Sequence, residues 1–129
     1  MSEVSAHSVN KIRKFCLTFA GVEEKQVGDP ANILSYSVGA KKFAYFKTSD
    51  PEKWRFSFRV TPERFLELTD QSGIKPARYM HRFHWVSVVN LNSISDAYLK
   101  ELITWSYEKA RRSLPKKIQA QILNEINSN

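Results

Sequence analysis

Residues 54–60 read WRFSFRV. In an extended chain Trp54, Phe56, Phe58 and Val60 share one side, while Arg55, Ser57 and Arg59 share the other. A one-sided antiparallel sheet has this pattern, dry on one face and polar on the other. Here the polar face is lined by arginine. Thr61 follows as an N-cap, Pro62 takes the first helical position, where a missing N–H costs nothing, and Glu63 adds a favourable first-turn charge. The strand therefore leads into a helix, expected to run to about residue 71 with Phe65, Leu66, Leu68 and Thr69 inward and Gly73 closing it.

The same reading extends in both directions. Upstream, residues 33–38 (ILSYSV) place Ile33 and Ser35 on one side and Leu34, Tyr36 and Val38 on the other. Gly39 and Ala40 then turn the chain into residues 41–47 (KKFAYFK), a hairpin pattern. Residues 22–29 (VEEKQVGD) read as a short edge strand or a loop. Before them, Val9, Ile12, Cys16 and Phe19 form the apolar stripe of a helix over residues 8–19, widened by Phe15. Downstream, residues 73–91 (GIKPARYMHRFHWVSVVNL) begin as a loop and end as a strand. Ser95 caps a helix over residues 96–113, with Leu99, Leu102, Ile103, Ser106 and Ala110 on its stripe, and Pro115 starts a last helix.

The resulting order is α, three or four strands, α, β, α, α. That is an α+β two-layer domain, a mostly antiparallel sheet packed against helices. The 129 residues suit a single domain, which commonly holds about 100–150. A hydrophobic fraction of 42% and an aromatic fraction of 12% exclude a disordered chain. With Cys16 as its single cysteine the chain forms no internal disulfide, and Cys16 falls on a buried stripe, so it reads as structural. The longest apolar runs fall well short of the ~18 residues of a spanning helix, and the first residues lack the apolar segment of a secretory signal. A cytoplasmic protein without membrane contact is expected.

The formal net charge of +7 favours polyanionic partners. It is unevenly placed. Residues 1–38 are neutral, whereas residues 39–49, 71–95 and 109–124 contain no carboxylate side chain. The middle stretch interleaves Lys75, Arg78, His81, Arg82 and His84 with Tyr79, Phe83 and Trp85. Cations neutralise phosphate and rings offer stacking surfaces, so this composition suits nucleic acid. Other chemistry is poorly represented. A zinc site normally needs three or four protein ligands, and the histidines at 7, 81 and 84 with one buried cysteine do not supply them. There is no G-x-S-x-G elbow and no glycine pattern to cradle phosphates, so no catalytic residue, metal or cofactor is assigned.

VGAKKFAYF, beginning at Val38, resembles the "VGGKMFA" hairpin of the MmcQ/YjbR-like family, with Ala40 in place of a glycine. Arg59, Pro62 and Glu63 stand where the family has "K-x-x-P-E". GIKPARYMHRFHWVSV resembles "GI-x-P-A-x-Y-L-x-K-x-x-W-V-x-V", and SYEKARRSLPKK resembles "SY-x-x-V-x-x-x-LPKK". The resemblance implies a compact α+β domain of the CyaY/frataxin-like type carrying a double-wing DNA-binding motif. Trp85, Ser106, Tyr107, Leu114 and Pro115 match it equally well as packing residues.

The leading expectation is thus a small DNA-binding domain without catalysis, a monomer. Lys75, Arg78 and Arg82 would contact phosphate, Tyr79 would stack or hydrogen-bond, and Lys41 and Lys42 in the hairpin turn would add a second contact. Arg55 and Arg59 would join them if the helices leave their face open. His84, Lys116 and Lys117 are further candidates. Two other classes compete: a protein-interaction or dimerisation module, and a binding protein or enzyme for a small anion held by Arg78, Arg82 and His84.

Overall fold

A computed structural model describes residues 6–78 and 80–127. The chain runs α1 (Ala6–Cys16), β1 (Val22–Val27), β2 (Ile33–Val38), β3 (Lys41–Lys47), β4 (Phe56–Arg59), α2 (Pro62–Thr69), β5 (Ile74–Pro76), β6 (Trp85–Val88), α3 (Asp96–Arg112) and α4 (Lys116–Asn127). Short 3-10 turns occupy His81–Phe83 and Leu91–Ser93. The six strands form one antiparallel sheet in the order β1-β2-β3-β4-β6-β5. The α+β two-layer architecture expected from residues 54–60 is the one observed.

Register sorts the side chains into rows. Leu34, Phe46, Phe56, Val88 and Ile74 are successive partners across five strands, and Tyr36, Ala44, Phe58 and Val86 make the next row on the same face. All of these are buried, and they form one core with Val9, Ile12 and Cys16 of α1, Leu68 of α2, Leu99, Leu102, Ile103, Tyr107 and Ala110 of α3, and Ile122 of α4. All four helices therefore bury their apolar stripes on one face of the sheet. That face supplies the hydrophobic stabilisation, about 25 cal/mol per Å² removed from water.

Two hydroxyls fix α3 to the rest. Ser106, buried, donates to the Phe43 carbonyl at 2.7 Å and accepts from the Arg59 N–H at 3.1 Å. The register between β2 and β3 shifts beside Tyr36 and Ser37, so Phe43 is the extra residue of a bulge, and Ser106 satisfies its carbonyl. Tyr107 donates to the Ala20 carbonyl at 2.7 Å, and its ring stacks on Phe19 at 4.4 Å. Gly39 is required in the hairpin turn: its φ is +58°, and a Cβ there would stand 2.9 Å from Leu114.

Some expectations are corrected. The stretch beginning at Gly73 opens with a strand, β5, and not with a loop; Pro76 is tolerated because β5 is an edge strand with an unpaired outer side. Residues 22–27 are the other edge strand. Leu66 is 71% exposed, whereas Leu68 is fully buried. Two residues rotate a helix by about 200°, so the two leucines cannot both face the sheet. Helix α1 stops at Cys16, three residues early, yet Phe19 still packs against Phe15, Phe43 and Tyr107. Among the described residues no helix is long and apolar enough to cross a membrane.

Candidate nucleic-acid interface

The opposite face of the sheet contributes nothing to the core cluster. One row crosses all six strands there: Lys25, Ser35, Tyr45, Ser57, Ser87 and Lys75 are successive partners. A second row holds Glu23, Ser37 and Lys42, and further along Arg59 pairs with Trp85. Lys47 follows from its pairing with Ile33, and Arg55 from its place two residues before Ser57. The face therefore carries Lys25, Lys42, Lys47, Arg55, Arg59 and Lys75, together with Glu23 and Glu52. Between the cations lie small hydroxyls. Ser57 and Ser87 share a hydrogen bond of 2.7 Å, and Ser35 is bonded to the Lys25 carbonyl at 3.3 Å.

This face has two unlike ends. At one, Tyr45 and Trp85 lie 5.8 Å apart, tilted by 31°, and the Lys42 ammonium stands 5.6 Å from the Tyr45 ring centre. Among the described residues neither Lys42 nor Arg59 has a carboxylate partner. At the other end Glu52 receives Arg55 Nη1 at 2.8 Å and Lys75 Nζ at 2.8 Å and 3.0 Å. Lys47 donates to the Pro51 carbonyl in the same turn. Hydrogen bonds from Lys75 and then Arg55 hold the Glu52 carboxyl below its ordinary range. One end is open to an anion, and the other already holds one.

The residues singled out from sequence are distributed as follows. Lys42, Lys75, Arg55 and Arg59 share the helix-free face, where Arg55 is already paired with Glu52 and the Trp85 opposite Arg59 is buried. Lys41 pairs with Val38 and so takes the opposite side from Lys42. Arg78 is exposed, and Arg82 lies in the 3-10 turn with its guanidinium 5.0 Å from the Phe83 ring centre. His84 has φ +64° and packs its ring on Phe65 of α2, on the helix side. Tyr79 lies outside the described residues. Lys116 and Lys117 are exposed at the start of α4, in the helix layer. In the same basic segment Arg111 and Arg112 are paired with Glu108 at 2.7 Å and 3.6 Å. The three acid-free segments thus divide between the two layers.

Tyr45, Lys47, Lys25 and Glu52 escape sequence reasoning. Alternation within residues 41–47 is broken by the bulge at Phe43, which hides the fact that Lys42, Tyr45 and Lys47 share a side. Glu52 sits in a turn beside Arg55, but its other partner, Lys75, is 23 residues away.

Chemistry elsewhere is structural. Burial, with a smaller effect of Glu24, pushes the Cys16 thiol up to about 12, which leaves it unreactive as a nucleophile. Glu24 accepts from Arg13 at 3.0 Å and 3.1 Å and from the Tyr36 hydroxyl at 2.6 Å, tying α1 to the β1–β2 edge. Among the described residues no three metal-binding side chains converge.

Known proteins are similar to this chain in sequence or in fold. The uncharacterized protein YbdF of Escherichia coli O157:H7 is 29% identical over 97 residues, covering 75% of this chain and 70% of that one. The uncharacterized protein YjbR of Escherichia coli K12 is 25% identical over 109 residues, covering 84% and 91%. The crystal structure of Deinococcus radiodurans protein DR2400, a DUF419 domain, superposes with a TM-score of 0.76 at 24% identity, over 88% of this chain and 86% of that one. A Pseudomonas syringae protein gives 0.61 at 18% identity, over 78% and 97%. The YjbR family model matches residues 17–109, from the end of α1 to the last turn of α3. This chain belongs to the YjbR family.

Proposed function

We propose that this chain is a DNA-binding domain whose contact surface is the helix-free face of the sheet, with no catalytic step. One observation carries the reading: that face places Lys42, Arg59 and the Tyr45–Trp85 ring pair side by side, with no carboxylate partner for either cation among the described residues. Lys25 lies on the same face. Cations in this arrangement contact phosphates and release counterions, while Tyr45 offers an edge for sugar or base. The Arg59 backbone is held rigidly by Ser106, so its guanidinium extends from a fixed base. Phosphate contacts of this kind position the duplex and carry no sequence information.

The test is fluorescence anisotropy of a labelled duplex oligonucleotide at several salt concentrations. Neutralising four or five phosphates gives a log–log slope of roughly −3 to −5. The double variant Lys42→Ala, Arg59→Ala lowers its magnitude by about 2. Binding indifferent to salt, or a double variant identical to wild type, defeats the proposal. Removing Lys116 and Lys117 leaves the slope unchanged.

A further inference from the structure

We infer that Arg55 and Lys75 form a second phosphate subsite on the sheet face, and that Glu52 occupies it as a built-in carboxylate which an incoming phosphodiester displaces. The inference rests on the reading of this face as the nucleic-acid surface and adds to it a site, a ligand class and a means of restraint.

Three observations point to it. The first is geometry. Glu52 takes two cations from different strands at once, Arg55 beside β4 and Lys75 of β5, with all three contacts between 2.8 Å and 3.0 Å. An anion bridging an arginine and a lysine across a sheet is the contact that a phosphodiester oxygen pair makes.

The second is incomplete satisfaction. Glu52 engages Nη1 of Arg55, whereas Nε of the same guanidinium is buried with no hydrogen-bond partner. A guanidinium presents its donors as a planar fork suited to two oxygens of one anion, and the carboxylate uses only part of it.

The third is the backbone that delivers the carboxylate. Glu52 and Trp54 both lie in the left-handed region, at φ +61° and +72°. Neither is a glycine, and for a bulky residue such as tryptophan this is a true outlier. Strain of this kind persists only where the surroundings over-determine it, and it gathers at ligand clamps and switches. Here the turn is held by Trp54 against Phe46 at 5.9 Å, by the Trp54 N–H on the Lys47 carbonyl at 2.7 Å, and by the Glu52 ion pairs themselves. Displacing the carboxylate removes one of these restraints while the Trp54 anchor remains, so the turn can yield without unfolding the sheet.

The consequence is electrostatic. While Glu52 is in place, Arg55 and Lys75 add little to the attraction of a polyanion, and binding at this end must first break three charge-assisted hydrogen bonds. Glu52→Gln removes the charge and keeps the shape. Measured by anisotropy with the labelled duplex, this variant binds about five- to tenfold more tightly than wild type, with a slope steeper by about 1–2. Glu67→Gln, which changes the net charge equally but from the exposed side of α2, gains nothing, and this separates release of the two cations from a general change in net charge. Inorganic tripolyphosphate, followed by calorimetry, is the second probe, and thermal melts verify that each variant is folded.

If wild type binds the duplex and Glu52→Gln binds it no better, the subsite is refuted while the DNA reading stands. If neither protein binds duplex but Glu52→Gln gains affinity for tripolyphosphate, the subsite is upheld and the DNA reading fails. If neither probe binds either protein, both are refuted.

Discussion

Strand β4 presents two opposite surfaces within four residues. Phe56 and Phe58 point into the core, fully buried between the sheet and the helices, whereas Ser57 and Arg59 point to the helix-free side. The first pair stabilises the fold by apolar burial and ring contacts, Phe46–Phe56 at 4.6 Å and Phe56–Phe58 at 5.5 Å. The second contributes one hydroxyl pair and one guanidinium. One side packs against the helices. On the other, Ser57 is just as buried, and Arg59 is the residue of this strand that is partly exposed. A strand divides its residues between two surfaces in this way because a sheet alternates its side chains with period two.

The contrast can be broken most forcefully at Phe56. Phe56→Ala removes a fully buried ring and is expected to cost about 3–5 kcal/mol, against about 1 kcal/mol for Ser57→Ala next door, which loses the Ser87 hydrogen bond. Urea midpoints of the two variants check this, and similar losses would erase the distinction between the faces. Next in size is Ser106→Ala. It strips partners from the buried Phe43 carbonyl and the Arg59 N–H, with an expected loss of about 2–3 kcal/mol. Amide hydrogen exchange should show faster exchange at Arg59 than at Phe58.

The smallest effect is a pH dependence at the sheet's β1 edge. Hydrogen bonds from Arg13 and, more weakly, Tyr36 hold the Glu24 carboxyl below its usual value despite its partial burial. A carboxyl depressed in the folded state adds stability above its unfolded pKa, about 4.3, and that stability is lost as pH falls through the lower folded value. Glu24→Gln is therefore less stable than wild type at neutral pH, and the two converge in acid. Denaturation midpoints followed from pH 7 downward to about 3 measure this. Parallel curves would show that Glu24 has no such role.

How far these features are legible in the sequence differs by element. The alternation of Phe56, Ser57, Phe58 and Arg59, the Thr61–Pro62 cap and the α3 stripe depend on local geometry and are legible; Trp54 falls outside that alternation, because its backbone lies in the left-handed region before β4. Leu66 is as apolar as Leu68 but stands about 200° from it around the helix, so hydrophobicity without helical phase places it on the wrong side. Of the interface, Arg55 and Arg59 could be assigned to a common side, but whether that side was covered depends on where the helices pack. Lys41 and Lys42 look equivalent as neighbours in a chain, yet antiparallel register sends them to opposite sides. Charge read in one dimension cannot distinguish layers, and for that reason Arg111, Arg112, Lys116 and Lys117 seemed to belong with the rest. Glu52 was invisible as a partner of Lys75 because 23 residues separate them.

The Ser106 bridge has a practical consequence for protein engineering. Its single oxygen serves the bulge carbonyl of one strand and the amide beneath Arg59 on the next. Anyone transplanting this sheet onto a different helical scaffold would have to bring along a hydroxyl at that height, or the graft would carry the right cations on a warped frame. Selection acting on the outward surface would in the same way constrain a residue that no ligand ever touches.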